Sequence, residues 1–213
     1  MENKENYEAK KYRLFFKRLF DLLLSFFGII ILFPVFIIIS LAIKATSKGN
    51  IIYKQERIGK NYKKFYIYKF RTMRINADKE GLLITVQNDS RITKFGKLIR
   101  KSKLDELPQL FNVLFGQMSF VGPRPEVEKY VNLYTDRQKK VLSIKPGITD
   151  YASIKYRNEN KILEKSENPE ITYINEILPS KIEYNLVYIR NMSILKDIVI
   201  IFSTIFSLFR SET

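Results

Sequence analysis

The sequence predicts an α+β fold that is mostly helical, built on a proline-broken membrane helix. Three observations carry that expectation. From Leu22 to Ile43 no residue is charged, and Pro34 sits near the middle of that run. Between Ile51 and Phe70 two apolar, aromatic-rich segments flank the turn signal Gly59-Lys60-Asn61, the pattern of a β-hairpin. Further on, apolar residues recur at i, i+3, i+4 and i+7, above all Leu107, Leu110, Phe111 and Leu114, one face of a helix.

The uncharged run is long enough to cross a bilayer as a helix, and too long for a cleavable leader, with no small-residue cleavage site after it. Two features argue against a simple span. Proline inside a helix lacks the N–H for the backbone ladder. Both flanks are basic, with Lys17 and Arg18 before and Lys44, Lys48, Lys54 and Arg57 after, and positive flanks favour the cytoplasmic side. A helix that enters, turns at Pro34 and returns to the same face satisfies both, with Ser25 and Ser40 placed to meet freed backbone groups. A true span is the alternative, distinguished by which side each terminus faces. Before the run, Lys10, Lys11, Arg13, Lys17 and Arg18 alternate with Leu14, Phe15, Leu19 and Phe20, an amphipathic lead-in for a membrane surface.

The 213 residues allow one domain with a substantial core. Lys and Arg number 37 against 22 acids, a net charge of +15. That excess calls for an anionic partner: nucleic acid, anionic lipid or a phosphorylated substrate. There is no cysteine and no histidine, which removes thiolate chemistry, a histidine base and the usual zinc sites. Any metal would be a hard cation on carboxylate oxygens, with Mg2+ favoured.

The hairpin strands are expected at Ile51–Gln55 and Lys64–Phe70, followed by a basic segment with Lys69 and Arg71 as candidate phosphate contacts. Residues 75–92 read as polar loop with room for a short helix. Thr93 is a candidate N-cap for a helix that turns Phe95, Leu98 and Ile99 inward and Lys94, Lys97 and Arg100 outward. Asp105-Glu106 then precedes Pro108, which suits a helix start, and Gly116 suits its end. Carboxylates there would sit at the positive end of a helix dipole, a place where phosphates also bind. Gly122-Pro123-Arg124-Pro125 is a stiff loop presenting one arginine. Pro125-Glu126-Val127-Glu128 opens another helix with Val127, Tyr130, Val131 and Tyr134 as its apolar stripe, and Lys145–Thr149 reads as a turn. Residues 159–191 are polar, with helical stretches at 171–178 and 182–189 and no evident chemistry. Ile198–Phe209 is uncharged but too short to span. It reads as an interfacial helix between Lys196 and Arg210. The expected organisation is 1–44 lead-in and re-entrant helix, 45–191 catalytic domain, and 192–213 a C-terminal interfacial helix on the same domain.

Lys69-Phe70-Arg71-Thr72-Met73, Asp105-Glu106-Leu107-Pro108-Gln109-Leu110 and Gly122-Pro123-Arg124-Pro125 occur here in one order and spacing. Together they resemble the signature of the bacterial polyprenyl-phosphate sugar-1-phosphate transferases, the small monotopic phosphoglycosyl transferases. The resemblance covers roughly residues 12–158 and implies the re-entrant anchor, a minimal form without extra membrane helices, and a place at the cytoplasmic face of the bacterial inner membrane. It implies a reaction in which sugar-1-phosphate passes from a UDP-sugar to polyprenyl (undecaprenyl) phosphate with release of UMP, at the start of a surface glycan. It also implies Asp105 as nucleophile, Glu106 as the Mg2+ ligand, and Lys69, Arg71, Arg100, Arg124 and Arg157 around the phosphates or nucleotide. Asp105 and Glu106 could exchange roles. The chain departs from the family at Asn50, where a proline is usual, and at Ser153, Lys155 and Tyr156, within a block whose Arg157-Asn158 end is kept. If that loop touches the sugar, the departure bears on sugar identity. Expected partners are a UDP-sugar, polyprenyl phosphate and an anionic phospholipid membrane, with no nucleic acid. The competing readings are a basic nucleic-acid binder, disfavoured because the cations are spread along the chain, and a non-catalytic membrane scaffold, which would tolerate loss of Asp105.

Overall fold

The computed structural model describes residues 2–77, 84–85 and 89–209, with side chains from Leu14 to Ser207 within those limits. Helix α1 (Glu2–Thr46) is followed by an antiparallel hairpin of β1 (Ile52–Ile58) and β2 (Lys64–Phe70). The hairpin pairs Ile52 with Phe70 through to Ile58 with Lys64. Its loop takes a tight turn in which Asn61 and Tyr62 both adopt positive φ. Then come α2 (Lys94–Lys101), a 3-10 turn (Leu104–Glu106) and α3 (Gln109–Leu114). Strand β3 (Ser119–Val121) precedes α4 (Glu128–Val131), and β4 (Gly147–Thr149) pairs parallel to β3. Five helices complete the fold: α5 (Tyr151–Lys155), α6 (Glu159–Glu164), α7 (Pro169–Thr172), α8 (Leu178–Arg190), joined to α7 through a π-turn, and α9 (Ile194–Phe209).

Helix α1 runs through Pro34 without ending, so the expected break into two helices is not seen. A proline in an apolar helix forfeits one ladder bond, which neighbouring turns can hold in place. Ser25 does not meet the carbonyl so freed: its hydroxyl donates to Leu22 O at 3.1 Å and is wholly buried. Both arms of α1 touch the rest of the fold. On the first arm Lys17 donates to Asp197 of α9, and Asp21 accepts from Ser119 Oγ and the Phe120 N–H. Arg18 donates to the Val113 and Leu114 carbonyls at the end of α3. On the second arm Phe36 meets Phe70 and Phe111, and Ile39 and Ile43 are buried with Phe70 and Ile99. The outward side of α1 remains bare, with Ile31, Phe33, Ile38 and Leu41 all more than half exposed. Residues Leu14–Thr46 form a helix long and apolar enough to cross a membrane. Lys10, Lys11, Arg13 and Arg210 lie outside the described side chains.

The expected apolar stripe on α3 packs against α1, with Leu110 beside Gly28 and Phe111 beside Phe36. The opposite side of α3 is buried too, through Asn112 and Val113. Asn112 bridges to the hairpin by accepting from the Tyr68 N–H and donating to Tyr66 O. Gly116, at φ 78°, ends this segment. Thr93 caps α2 by accepting from the Gly96 N–H at 2.9 Å. Ile99 and Phe95 turn inward, but Leu98 is 64% exposed, against expectation. The reason is Gly96, whose backbone lies so close to Thr72 that an added Cβ would stand 2.1 Å from its carbonyl oxygen. That contact fixes the rotation of α2 and points Leu98 away.

Two further expectations are corrected. The helix after Pro125 starts at Glu128, because residues 122–127 remain outside helices and Ile58 N–H donates to Glu126 O. Its stripe of Val127, Tyr130, Val131 and Tyr134 is nevertheless buried in the main core with Ile177, Ile182 and Leu186. Lys145–Thr149, expected as a turn, instead ends in strand β4 at Gly147–Thr149, drawn straight by its pairing with β3. In the 75–92 segment Met73 bridges to Ile92, while residues 78–83 and 86–88 lie outside the described ones.

Candidate active site

The acid pair occupies the 3-10 turn between α2 and α3, three residues before α3 begins, rather than the first turn of that helix. Lys103, at φ 57°, reverses the chain after α2. Leu104 and Leu107 then pack beside Ile39, Ile43, Phe70 and Ile99, which pins the turn at both ends and leaves Asp105 and Glu106 on the wall of a cleft of about 1830 Å3.

Strand alternation brings the first cation. Phe65 and Ile67 point into the core with Val113 and Met118, and Lys69 follows on the same side. Its ammonium donates to Glu106 Oε1 at 2.9 Å. Arg124 reaches the same oxygen at 2.8 Å. The loop that carries Arg124 is sewn to β4: Gly122 N–H donates to Thr149 O, Gly147 N–H to Pro123 O, and Arg124 N–H to Asp150 Oδ2 at 3.0 Å. Asp150 also caps α5 through the Ser153 N–H and accepts from Asn185 of α8. The glycines permit the approach, since a Cβ on Gly147 would stand 2.1 Å from Gly122 N.

The two carboxylates differ sharply. Glu106 is nearly buried, a situation that opposes its charge, but Arg124 and Lys69 outweigh burial and hold it well below the usual carboxylate range. Asp105 is 7% exposed and its Oδ1 has no hydrogen-bond partner. Burial, reinforced by the adjacent Glu106 charge, pushes its carboxyl up. Lys69 is pushed down by burial despite Glu106. Arg124 is driven further up by Glu106, although a third of its side chain stays open to the cleft. Arg71, Arg100 and Arg157 also line the cleft, and Arg100 lends its charge to Asp105. The structure thus joins Asp105, Glu106, Lys69 and Arg124 at one point and sets the other three around it.

Sequence reasoning passed over a second network on the same wall. Arg57 donates to Pro125 O at 3.2 Å and to Glu126 Oε2 at 3.5 Å, and Tyr173 donates to Glu126 Oε1 at 2.6 Å. Lys181 pairs with Glu159 at 2.8 Å beneath the cleft. Arg57 and Glu126 stand within blocks already noted for their motifs, so their positions were readable. Tyr173 and Lys181 lie in a stretch with no motif.

Among the described residues no group of three or more acidic side chains gathers as a ready metal site. The chemistry of the pair still suits a hard cation: an unpaired buried oxygen on Asp105, a neighbouring carboxylate, and room for substrate oxygens to complete the shell.

The sequence profile of the bacterial sugar transferases matches residues 12–211. The chain belongs to that family. Among curated bacterial sugar transferases it is 43% identical over 206 residues to a UDP-glucose:undecaprenyl-phosphate glucose-1-phosphate transferase of Klebsiella pneumoniae, covering 93% of this chain and 41% of that one. It is 36% identical to the UDP-N-acetylgalactosamine-undecaprenyl-phosphate N-acetylgalactosaminephosphotransferase of Aeromonas hydrophila, covering 90% of this chain and 43% of the other. To the exopolysaccharide production protein PSS of Rhizobium leguminosarum bv. phaseoli it is also 36% identical, over 90% of this chain and 94% of that protein. The chain therefore spans about two fifths of the first two relatives and nearly all of the third.

Proposed function

We propose that this bacterial sugar transferase moves a sugar-1-phosphate from a UDP-sugar to a polyprenyl phosphate, releasing UMP, through a covalent intermediate on Asp105. The observation that carries the reading is the unpaired, buried Asp105 Oδ1 beside a Glu106 already held by two cations. A free carboxylate oxygen in a water-poor, cationic cleft is equipped to attack phosphorus, and a fully paired one is not.

In the first step an Asp105 oxygen bonds to the phosphorus that carries the sugar. The bond from that phosphorus to the UMP oxygen breaks, and UMP leaves with the electron pair. In the second step an oxygen of the polyprenyl phosphate attacks the same phosphorus and the bond to Asp105 breaks, giving a polyprenyl diphosphate sugar and free carboxylate. Arg124 and Lys69 neutralise the diphosphate while Glu106 keeps both aimed at it, and Arg100 and Arg157 extend the cationic wall. A bound Mg2+, held by Glu106 with substrate oxygens, would supply further charge neutralisation. The names of the relatives support the donor and acceptor classes. Since two of them name different sugars, sugar choice falls to the parts of the cleft where this chain departs from the family, among which Ser153 and Tyr156 stand on its wall.

The exposed apolar side of α1, with both arms fastened to the domain, supports a re-entrant anchor at the cytoplasmic face of the inner membrane. The apolar outer residues of α9, Leu195, Val199, Phe202 and Phe206, would rest on the same surface. The cations concentrated within the cleft around Glu106 favour a phosphorylated small substrate over nucleic acid. The deciding experiment is UMP release from a panel of UDP-sugars, with Mg2+ and polyprenyl phosphate, by the wild type and Asp105→Asn. Release by the first alone is expected. Equal release by both would remove Asp105 from the chemistry.

A further inference from the structure

Resting on that reading, we infer that Arg71, set against Gly49 and Ser47 where α1 ends, is the site that receives the monoester phosphate of the lipid acceptor, apart from the donor's phosphates at Lys69 and Arg124.

Arg71 follows Lys69 by two residues, just past the end of β2, and lines the same cleft. Its Nη2 is fixed by donating to Ser47 O and Ser47 Oγ, both at 2.8 Å. Its Nε and Nη1 are buried without any acceptor. Such donors lose their hydration and gain nothing in return unless an anion comes to them. The neighbouring cations of the cleft do not share this condition. Lys69 and Arg124 have Glu106, Arg57 has Glu126, and Lys181 has Glu159. No carboxylate among the described residues pairs with Arg71. Burial alone pushes its guanidinium down.

Gly49 makes the position possible. Its φ of 107° suits only glycine, and a Cβ there would stand 2.5 Å from Arg71 Nη1. The backbone thus gives way for the guanidinium at the edge of the cleft, which Gly49, Asn50 and Arg71 line together. The location selects among phosphates. Ser47 and Gly49 lie just past the apolar run of α1, where Ile37, Ile38 and Leu41 face outward. A phosphate at Arg71 can therefore keep a long apolar tail in the bilayer, whereas a soluble nucleotide gains nothing from that neighbourhood. A position two residues from Lys69 is also a short step from the phosphorus to be attacked.

The test uses the full chain in neutral detergent micelles and farnesyl phosphate, a prenyl monophosphate, as probe. Its binding is followed by 31P line broadening without donor. Steady-state KM values for polyprenyl phosphate and UDP-sugar are measured in parallel for wild type, Arg71→Gln, Arg71→Lys and Gly49→Ala. Arg71→Gln should weaken farnesyl phosphate binding and raise the acceptor KM at least tenfold, with the UDP-sugar KM within threefold. Gly49→Ala should move both acceptor readings the same way, and Arg71→Lys should recover part of the loss. Unchanged binding in folded Arg71→Gln, or a UDP-sugar KM that rises as much as the acceptor's, would overturn the assignment. Gly49→Ala decides if Arg71→Gln does not fold. Competition by inorganic phosphate or by phosphatidic acid vesicles as effective as farnesyl phosphate would also overturn it, in favour of free phosphate or a general headgroup. Because the binding assay needs no turnover, wild type that binds farnesyl phosphate through Arg71 yet releases no UMP would uphold this site and refute the reaction.

Discussion

Asp105 and Glu106 are adjacent in one 3-10 turn, yet both cations within reach donate to Glu106 Oε1 while Asp105 Oδ1 has no partner. The asymmetry leaves one carboxylate held by two cations and its neighbour with an oxygen free of partners.

Asp105→Asn should abolish turnover, by at least about 10^3-fold, and should not destabilise the protein. A buried carboxylate with one oxygen unpaired burdens the fold, so its neutral isostere should raise the unfolding midpoint by a few degrees, each kcal/mol being worth about 2–4 °C at this size. Thermal unfolding of both forms in the same detergent checks this. A lower midpoint in the variant would mean that Asp105 is held by contacts the fold depends on.

The acid limb of the rate profile should lie above the ordinary aspartate range, since the charged form attacks and the folded pKa is raised. For stability the same shift acts in reverse: the burden of charged Asp105 is present above its folded pKa and is relieved as pH falls through it. Glu106 is depressed, so its contribution is complete above the usual glutamate range and is lost as pH falls through its lowered value. Glu106→Gln removes a negative neighbour and frees two cations. It should lower kcat roughly 10²–10³-fold and shift the residual acid limb to lower pH. An unmoved limb would show that another group sets it.

Asp150→Ala removes the acceptor for the Arg124 N–H and the cap of α5. Loss of the cap should cost about 1 kcal/mol. Displacement of the Arg124 loop should cost roughly 10²-fold in activity, more than the stability change explains. Comparing the midpoint with kcat/KM for the UDP-sugar separates the two effects, and a proportionate loss in both would argue against a positioning role.

Lys17→Met should destabilise by about 3–5 kcal/mol, because it leaves Asp197, 1% exposed, as a buried charge without its cation. Adding Asp197→Leu should recover much of that. Denaturant unfolding of the single and double variants measures it, and equal stability of the two would mean that the pair contributes nothing at the α1–α9 junction.

Much of the site was legible because its chemistry is local. Asp105-Glu106, Lys69 and Arg124 each stand in a short motif, and strand alternation alone puts Lys69 on the side facing the core. The hairpin register and the Thr93 cap follow from side-chain period and turn chemistry. What stayed hidden depends on contacts between distant segments. The parallel pairing of β3 with β4 joins three-residue strands that carry no period of their own. Leu98 looks inward by spacing, and only the approach of Gly96 to Thr72 turns it out. Tyr173 reaches Glu126 across 47 residues, with nothing in its own surroundings to mark it. The acid pair stands just before α3 as its spacing from Pro108 implies, but the 3-10 turn that holds it was hidden, since Lys103, not a glycine, takes the left-handed conformation after α2.

Helix α1 contributes Asp21 to β3, Arg18 to the end of α3, and Ile39 and Ile43 to the packing behind the acid turn. Its other side is bare hydrocarbon. The helix with that bare side is thus also part of the scaffold behind the acid turn. On the proposed anchor, docking to a bilayer would cover the bare side of the same helix whose other side backs the acid turn.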